Sequence, residues 1–69
     1  MQLYNRQEIV GTLNDIQTTG NDQVTLTFII NTYLELPEAA IPISDLQALI
    51  GKKVAIINID TRYFIRAMD

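Results

Sequence analysis

Basic and aromatic residues alternate along the last strand-like segment of the chain, and their types could bind a ligand. Arg62, Phe64 and Arg66 fall on one face of a strand predicted over residues 62–68, since strand side chains alternate with a period of two. A ring between two cations can stack a base while the cations neutralise phosphates. The alternative is a solvated strand face on which arginine stems shield one ring. The candidate residues for binding nucleic acid or a partner are Lys52, Lys53, Arg62, Phe64, Arg66 and Tyr33.

Carboxylates form the second group that could do chemistry. Glu35, Glu38 and Asp45 cluster around a predicted turn. Such a cluster suits a hard cation or an acid–base pair, which would make the protein a metal-dependent enzyme. The alternative is a solvated loop followed by a helix N-terminus, which favours Asp45 electrostatically. The spacing does not match a Ca²⁺-binding loop, so the sequence favours the second interpretation.

Most catalytic arrangements are excluded by composition. The chain has no histidine and no cysteine, so it cannot build a Cys–His pair, a Ser-His-Asp triad, a disulfide or the usual zinc sites. Its one serine, Ser44, fits a helix cap, and its three glycines are too far apart for a phosphate-binding loop. The sequence therefore predicts a protein that is not an enzyme and uses no cofactor.

The charge distribution bears on partners. The net charge is −3. Residues 1–50 carry one arginine and six carboxylates, whereas residues 51–69 carry four basic residues and two carboxylates. The acidic total disfavours non-specific binding to nucleic acid, although the basic C-terminal third allows a local site. With no apolar signal-peptide core and no apolar run near 20 residues, we expect a cytoplasmic protein without a membrane span.

The aliphatic content exceeds what one small core needs. Isoleucine, leucine and valine make up 21 of the 69 residues. A single domain of this length buries only about 60% of the surface of its unfolded chain. Small chains therefore gain most from further burial, and the sequence favours a homo-oligomer or a complex with another protein over a closely packed monomer.

Strand patterns cover most of the chain. Residues 8–17 alternate, with Gly11 at a predicted bend. Ile16 is out of phase, which predicts either a bulge or a strand covered on both sides. A polar hairpin turn follows over 18–22. The next strand runs from residue 24 and either bends or breaks at Asn31-Thr32 before continuing to Leu36.

The second half of the chain contains a short helix and two strands. Residues 39–43 are predicted as a short extended piece. Ser44 and Gln47 match a capping box, with Gly51 at the C-terminal end of the helix. The last two strands are predicted over 53–59, with apolar residues on both faces, and over 62–68, joined by a turn at Asp60-Thr61.

The order of these elements predicts a mainly β domain spanning residues 1–69. The fold is a small barrel of five strands, or six if the chain breaks at Asn31-Thr32, with one short helix between the third and fourth strands. This is the order of an OB-fold, and an SH3-like barrel is the alternative. The predicted function is a non-enzymatic interaction or assembly module that self-associates, with single-stranded nucleic-acid binding as the rival.

Overall fold

Alternating strand patterns produce one antiparallel sheet of five strands with one short helix. The computed structural model describes residues 2–18, 20, 22–29 and 32–68. In chain order the elements are β1 (Glu8–Thr18), β2 (Gln23–Phe28), β3 (Tyr33–Pro37), α1 (Ile43–Ala48), β4 (Lys53–Ile59) and β5 (Arg62–Ala67). The strand order across the sheet is β3-β2-β1-β4-β5. Because β3 and β5 are the two ends of this order, the sheet is not closed, and the predicted barrel is not confirmed.

The third strand is not the one predicted. The chain turns between β2 and β3 instead of bending, because β3 folds back antiparallel on β2 with Thr27 opposite Tyr33. Asn31, at the predicted bend, lies outside the described residues, as do Thr19 and Asn21 of the first hairpin turn. The piece over 39–43 is not a strand. Its backbone turns directly after β3, where the Ala40 N–H donates to the Pro37 carbonyl (2.9 Å).

The long strand β1 belongs to both halves of the sheet. Its residues 8–12 pair with β4, and Leu13 and residues 15–18 pair with β2. The register shifts between Leu13 and Asp15, which confirms the predicted bulge. Gly11 serves a packing role, since a Cβ atom there would lie 3.2 Å from Cδ2 of the Phe28 ring. The bulge and this close approach let one strand serve two half-sheets.

The helix begins before the predicted capping box. Pro42 is the N-cap, and no side chain caps the helix. Ser44 therefore lies inside the first turn, and the capping-box prediction is wrong. The fixed φ of proline already orients the chain for a helix start, and its carbonyl accepts from Asp45 (3.0 Å) and Leu46 (3.2 Å). Asp45 does lie in the first turn, where an acidic group is favoured.

The core lies on the inner face of the sheet. On β4 the buried inner residues are Val54, Ile56 and Asn58, which face Ile9 and Gly11 of β1 and Tyr63 and Ile65 of β5 through the strand register. Leucines from β1, β2, β3 and α1 complete the cluster. Its largest fully buried members are Leu13, Val24, Leu26, Leu34, Leu36, Leu46, Val54 and Ile56. The alternate residues of β1, β4 and β5 therefore face outward.

The turn between β4 and β5 contains a residue type that its backbone disfavours. Asp60 and Thr61 have φ values of 51° and 66°, the pattern of a two-residue type I′ hairpin. A β-branched side chain is strained there. We expect Thr61→Gly to raise the free energy of unfolding by about 0.5–1 kcal/mol, measured by urea denaturation at fixed protein concentration.

The matched control for this turn is Thr25→Gly in the middle of β2. Glycine there removes strand propensity and should lower the free energy of unfolding by about 1 kcal/mol. Equal destabilisation by both substitutions would contradict the strained-turn interpretation.

Candidate functional site

The apolar residues among the outward side chains of β1, β4 and β5 lie next to one another, and we call the surface that they form the outer patch. Strand register sets its layout. Ile57 lies opposite Phe64 of β5, and Ala55 lies opposite Val10 of β1. An antiparallel sheet with one solvated face normally carries polar residues there. The outer patch consists of Val10, Ala55, Ile57, Ile59 and Phe64.

The outer patch is open to solvent at both edges. Phe64 exposes 53% of its surface, Val10 46% and Ile59 42%. Ile57 is half-buried among these neighbours, and the small Ala55 is buried between them. The apolar residues on both faces of β4 therefore form a core-facing row and an outward row. The outward row is the unusual one, because that face of a sheet is normally polar.

Charged residues flank the outer patch in a defined order. Arg62 and Arg66 lie two residues on either side of Phe64, about 6.8 Å along the strand, and both are exposed. Glu8 of β1 lies opposite Ile57, which in turn lies opposite Phe64. Acid and base are thus on opposite sides of β4, on strands that lie about 10 Å apart. Lys53 lies at the far end of β4, opposite Thr12.

A shallow depression crosses this surface. It has a volume of about 280 Å³, and its lining includes Glu8, Ile57, Phe64 and Arg66. The acidic and basic edges and the apolar centre therefore belong to one continuous surface.

A second depression lies beside the outer patch, next to the point where β1 changes partner. It has a volume of about 480 Å³ and is lined on its apolar side by Val10, Phe28 and Ile29. Val10 and Lys53 line this depression and also belong to the surface described above. It therefore extends the apolar area towards Ile29, which is 61% exposed.

The structure brings four of the six predicted binding residues together. Arg62, Phe64 and Arg66 share the outward side of β5, and Lys53 is outward on β4. Lys52 precedes β4 and is exposed, and its backbone N–H donates a hydrogen bond to the Leu49 carbonyl (3.0 Å). Tyr33 is separate: it lies on β3, three strands from β4 in the sheet order.

The predicted acidic cluster does not assemble. Among residues 2–18, 20, 22–29 and 32–68, no group of three carboxylates is arranged to hold a metal ion. Glu35 is on β3, Glu38 is in the following turn, and Asp45 is in α1. No helix in the described part of the chain is long and apolar enough to cross a membrane.

Five members of this surface were not among the predicted binding residues: Val10, Ala55, Ile57, Ile59 and Glu8. The sequence carried a signal for three of them, since Ala55, Ile57 and Ile59 are the outward half of the two-sided pattern in residues 53–59. Glu8 had no local signal, because only the pairing of β1 with β4 places it beside Ile57. Comparisons with protein-family models, curated proteins and solved structures find no match for this chain.

Proposed function

We propose that this protein is a non-enzymatic interaction module that self-associates through the outer patch. The observation that carries the proposal is the row of apolar side chains on the outward side of β4 and its two neighbours. Burying an exposed aliphatic or aromatic side chain gains roughly 1.5–3 kcal/mol. A small domain that exposes several of these side chains side by side gains most by covering them with a partner.

The finer architecture belongs to the same proposal. The order β3-β2-β1-β4-β5 becomes the ring of an OB-type barrel if β3 pairs with β5. Closure would protect the edge amides in hydrogen exchange, which are those of β3 that point away from β2 and those of β5 that point away from β4. Rapid exchange of these edge amides would contradict it.

Replacing Phe64 tests the proposed surface. Phe64→Thr keeps a residue type that suits a strand. It removes the aromatic ring, which is the most exposed apolar group of the outer patch. Each dimer would lose two buried rings, so we expect the dissociation constant to rise on the order of a hundredfold. Sedimentation equilibrium over a concentration series measures the change.

Tyr33→Thr is the matched control. Tyr33 has a similar exposure, 51%, but lies on β3, which contributes no residue to the outer patch. We expect its replacement to leave the dissociation constant within about twofold. Equal effects of the two substitutions would mean that the outer patch is not the interface. A wild-type chain that stays monomeric at millimolar concentration would contradict self-association itself.

Single-stranded nucleic-acid binding is the second candidate, favoured by one observation. Phe64 is exposed between two exposed arginines, which is the arrangement that base stacking requires. Against it stand the acidic net charge and Glu8, whose carboxylate lies in the same row as Phe64 and repels phosphates.

Titration with mixed-sequence oligonucleotides at low salt separates the two candidates. The second candidate predicts binding that weakens with added salt and with Arg62→Ala or Arg66→Ala. Our proposal predicts no detectable binding.

A further inference from the structure

The layout of charge around the outer patch determines how two copies would pack, and this inference rests on the proposed function above. We propose that the occupant of the outer patch is the outer patch of a second copy, related by a two-fold axis that runs parallel to β4. Ile57 of one chain then packs near the partner's Ile57, and β1 lies over the partner's β5.

In aligned packing, symmetry limits the alternatives to two. Two sheets packed in this way lie about 10 Å apart, with strand directions within about 30° of each other. Identical faces related by a two-fold axis require that axis to lie between the sheets. It runs either along β4 or across it, and the two choices bring different charged residues together.

An axis along β4 brings opposite charges together. Rotation about this axis places β1 over the partner's β5 and leaves each residue at the same position along the strand direction. Glu8, which shares a row with Ile57 and Phe64, therefore falls over the partner's Phe64. There it lies between the partner's Arg62 and the partner's Arg66. The symmetry creates this contact twice, once at each side of the apolar centre.

An axis across β4 brings like charges together. It places β5 over the partner's β5, so that Arg62 faces the partner's Arg66. Glu8 likewise faces the partner's Glu8. Like charges placed opposite one another destabilise an interface, and this arrangement repeats the penalty on both sides. Lys53 opposes this preference, because an axis along β4 places it over the partner's Lys53. The repulsion is small, since Lys53 lies at the exposed end of β4, where water and salt screen it.

The apolar centre agrees with the first arrangement. Ile57 and Ala55 lie on the strand that contains the axis, whereas Val10 and Phe64 lie on the two flanking strands. Val10 shares a row with Ala55 and Arg66, so it falls over the aliphatic stem of the partner's Arg66, next to the partner's Phe64. Each chain offers both halves of a complementary surface, so two copies complete one another and the assembly closes at two.

Charge reversal tests the axis directly. Glu8→Arg alone places cations over the partner's arginines, and the double substitution Arg62→Glu with Arg66→Glu places acids over the partner's Glu8. We expect each variant alone to weaken dimerisation at least tenfold. Mixed in equal amounts, the two variants restore both contacts in a heterodimer. Sedimentation velocity of each variant and of the mixture gives the readout, with Glu38→Arg, in the exposed turn after β3, as the control for added positive charge.

The outcomes separate this inference from the proposed function. Recovery of a 1:1 heterodimer from two impaired variants supports the axis along β4. A wild-type dimer whose variants are unimpaired, or whose mixture does not recover, overturns that axis and leaves self-association standing. A wild-type chain that is monomeric at millimolar concentration overturns both. Thermal unfolding of each variant confirms that a loss of association is not a loss of folding.

Discussion

Asn58→Asp is expected to remove most of the stability of this domain at neutral pH. Asn58 is 5% exposed, and its Nδ2 atom donates to the Leu3 carbonyl (2.8 Å), which holds the N-terminal segment against the sheet. The substitution replaces that donor with a carboxylate oxygen facing a carbonyl. The other oxygen of the new carboxylate keeps the place of Oδ1, which is buried and has no hydrogen-bond partner among the described residues.

The size of the effect follows from burying an unpaired charge. Such a charge costs on the order of 3–5 kcal/mol, whereas a 69-residue domain has a total stability of roughly 3–10 kcal/mol. Burial raises the pKa of the introduced carboxyl above its unfolded value of about 3.9. The penalty is therefore full above the folded-state pKa and shrinks as the pH falls through it.

Urea denaturation at pH 7 and pH 4.5 measures both parts of this prediction. We expect the gap between the variant and the wild type to be smaller at the lower pH. Asn14→Asp, at the exposed bulge of β1, is the matched control and should change stability by no more than about 0.5 kcal/mol. A similar small change for Asn58→Asp at pH 7 would contradict the buried role of Asn58.

Leu13→Ala should have the second largest effect. Leu13 is fully buried where β1 passes from β4 to β2. Its backbone is also fixed there, since its N–H donates to Lys52 (3.0 Å) and its carbonyl accepts from Gly51 (2.7 Å). The rigid surroundings limit collapse around the cavity, so we expect a loss of about 3–5 kcal/mol in the free energy of unfolding.

Equilibrium unfolding at one fixed concentration checks the Leu13 prediction, because the proposed dimerisation would make stability depend on concentration. Ile29→Ala is the control, since Ile29 is exposed on the side of the sheet opposite the core. Its replacement should cost less than about 0.5 kcal/mol. A loss below 1 kcal/mol for Leu13→Ala would mean that the junction between the half-sheets is not rigid.

The sequence predicted local alternation better than chain reversal. The faces of β1, β4 and β5 are those expected, because the period of two is set by backbone geometry alone. The turn before Tyr33 could not be distinguished from a bend, since both start from the same polar residues. The helix start was misplaced because Ser44 and Gln47 match a capping pattern, whereas proline at position 42 determines where the helix begins.

The candidate site was predicted in part for the same reason. The alternation of β5 placed Phe64 beside Arg62 and Arg66 correctly. Tyr33 is similar in residue type but belongs to the other half-sheet, and only the order of strands shows this. Glu8 lies 49 residues before Ile57 in the chain, so its position in the charged rim depends on non-local pairing that no local pattern contains.

A second copy is proposed to cover the outer patch, and isotope-filtered NMR on an equimolar mixture of labelled and unlabelled chains detects such a contact. We expect intermolecular contacts from the protons of Ile57 and Phe64, with Ile57 contacting its own counterpart. Intermolecular contacts confined to other surfaces, or none at millimolar concentration, would contradict it.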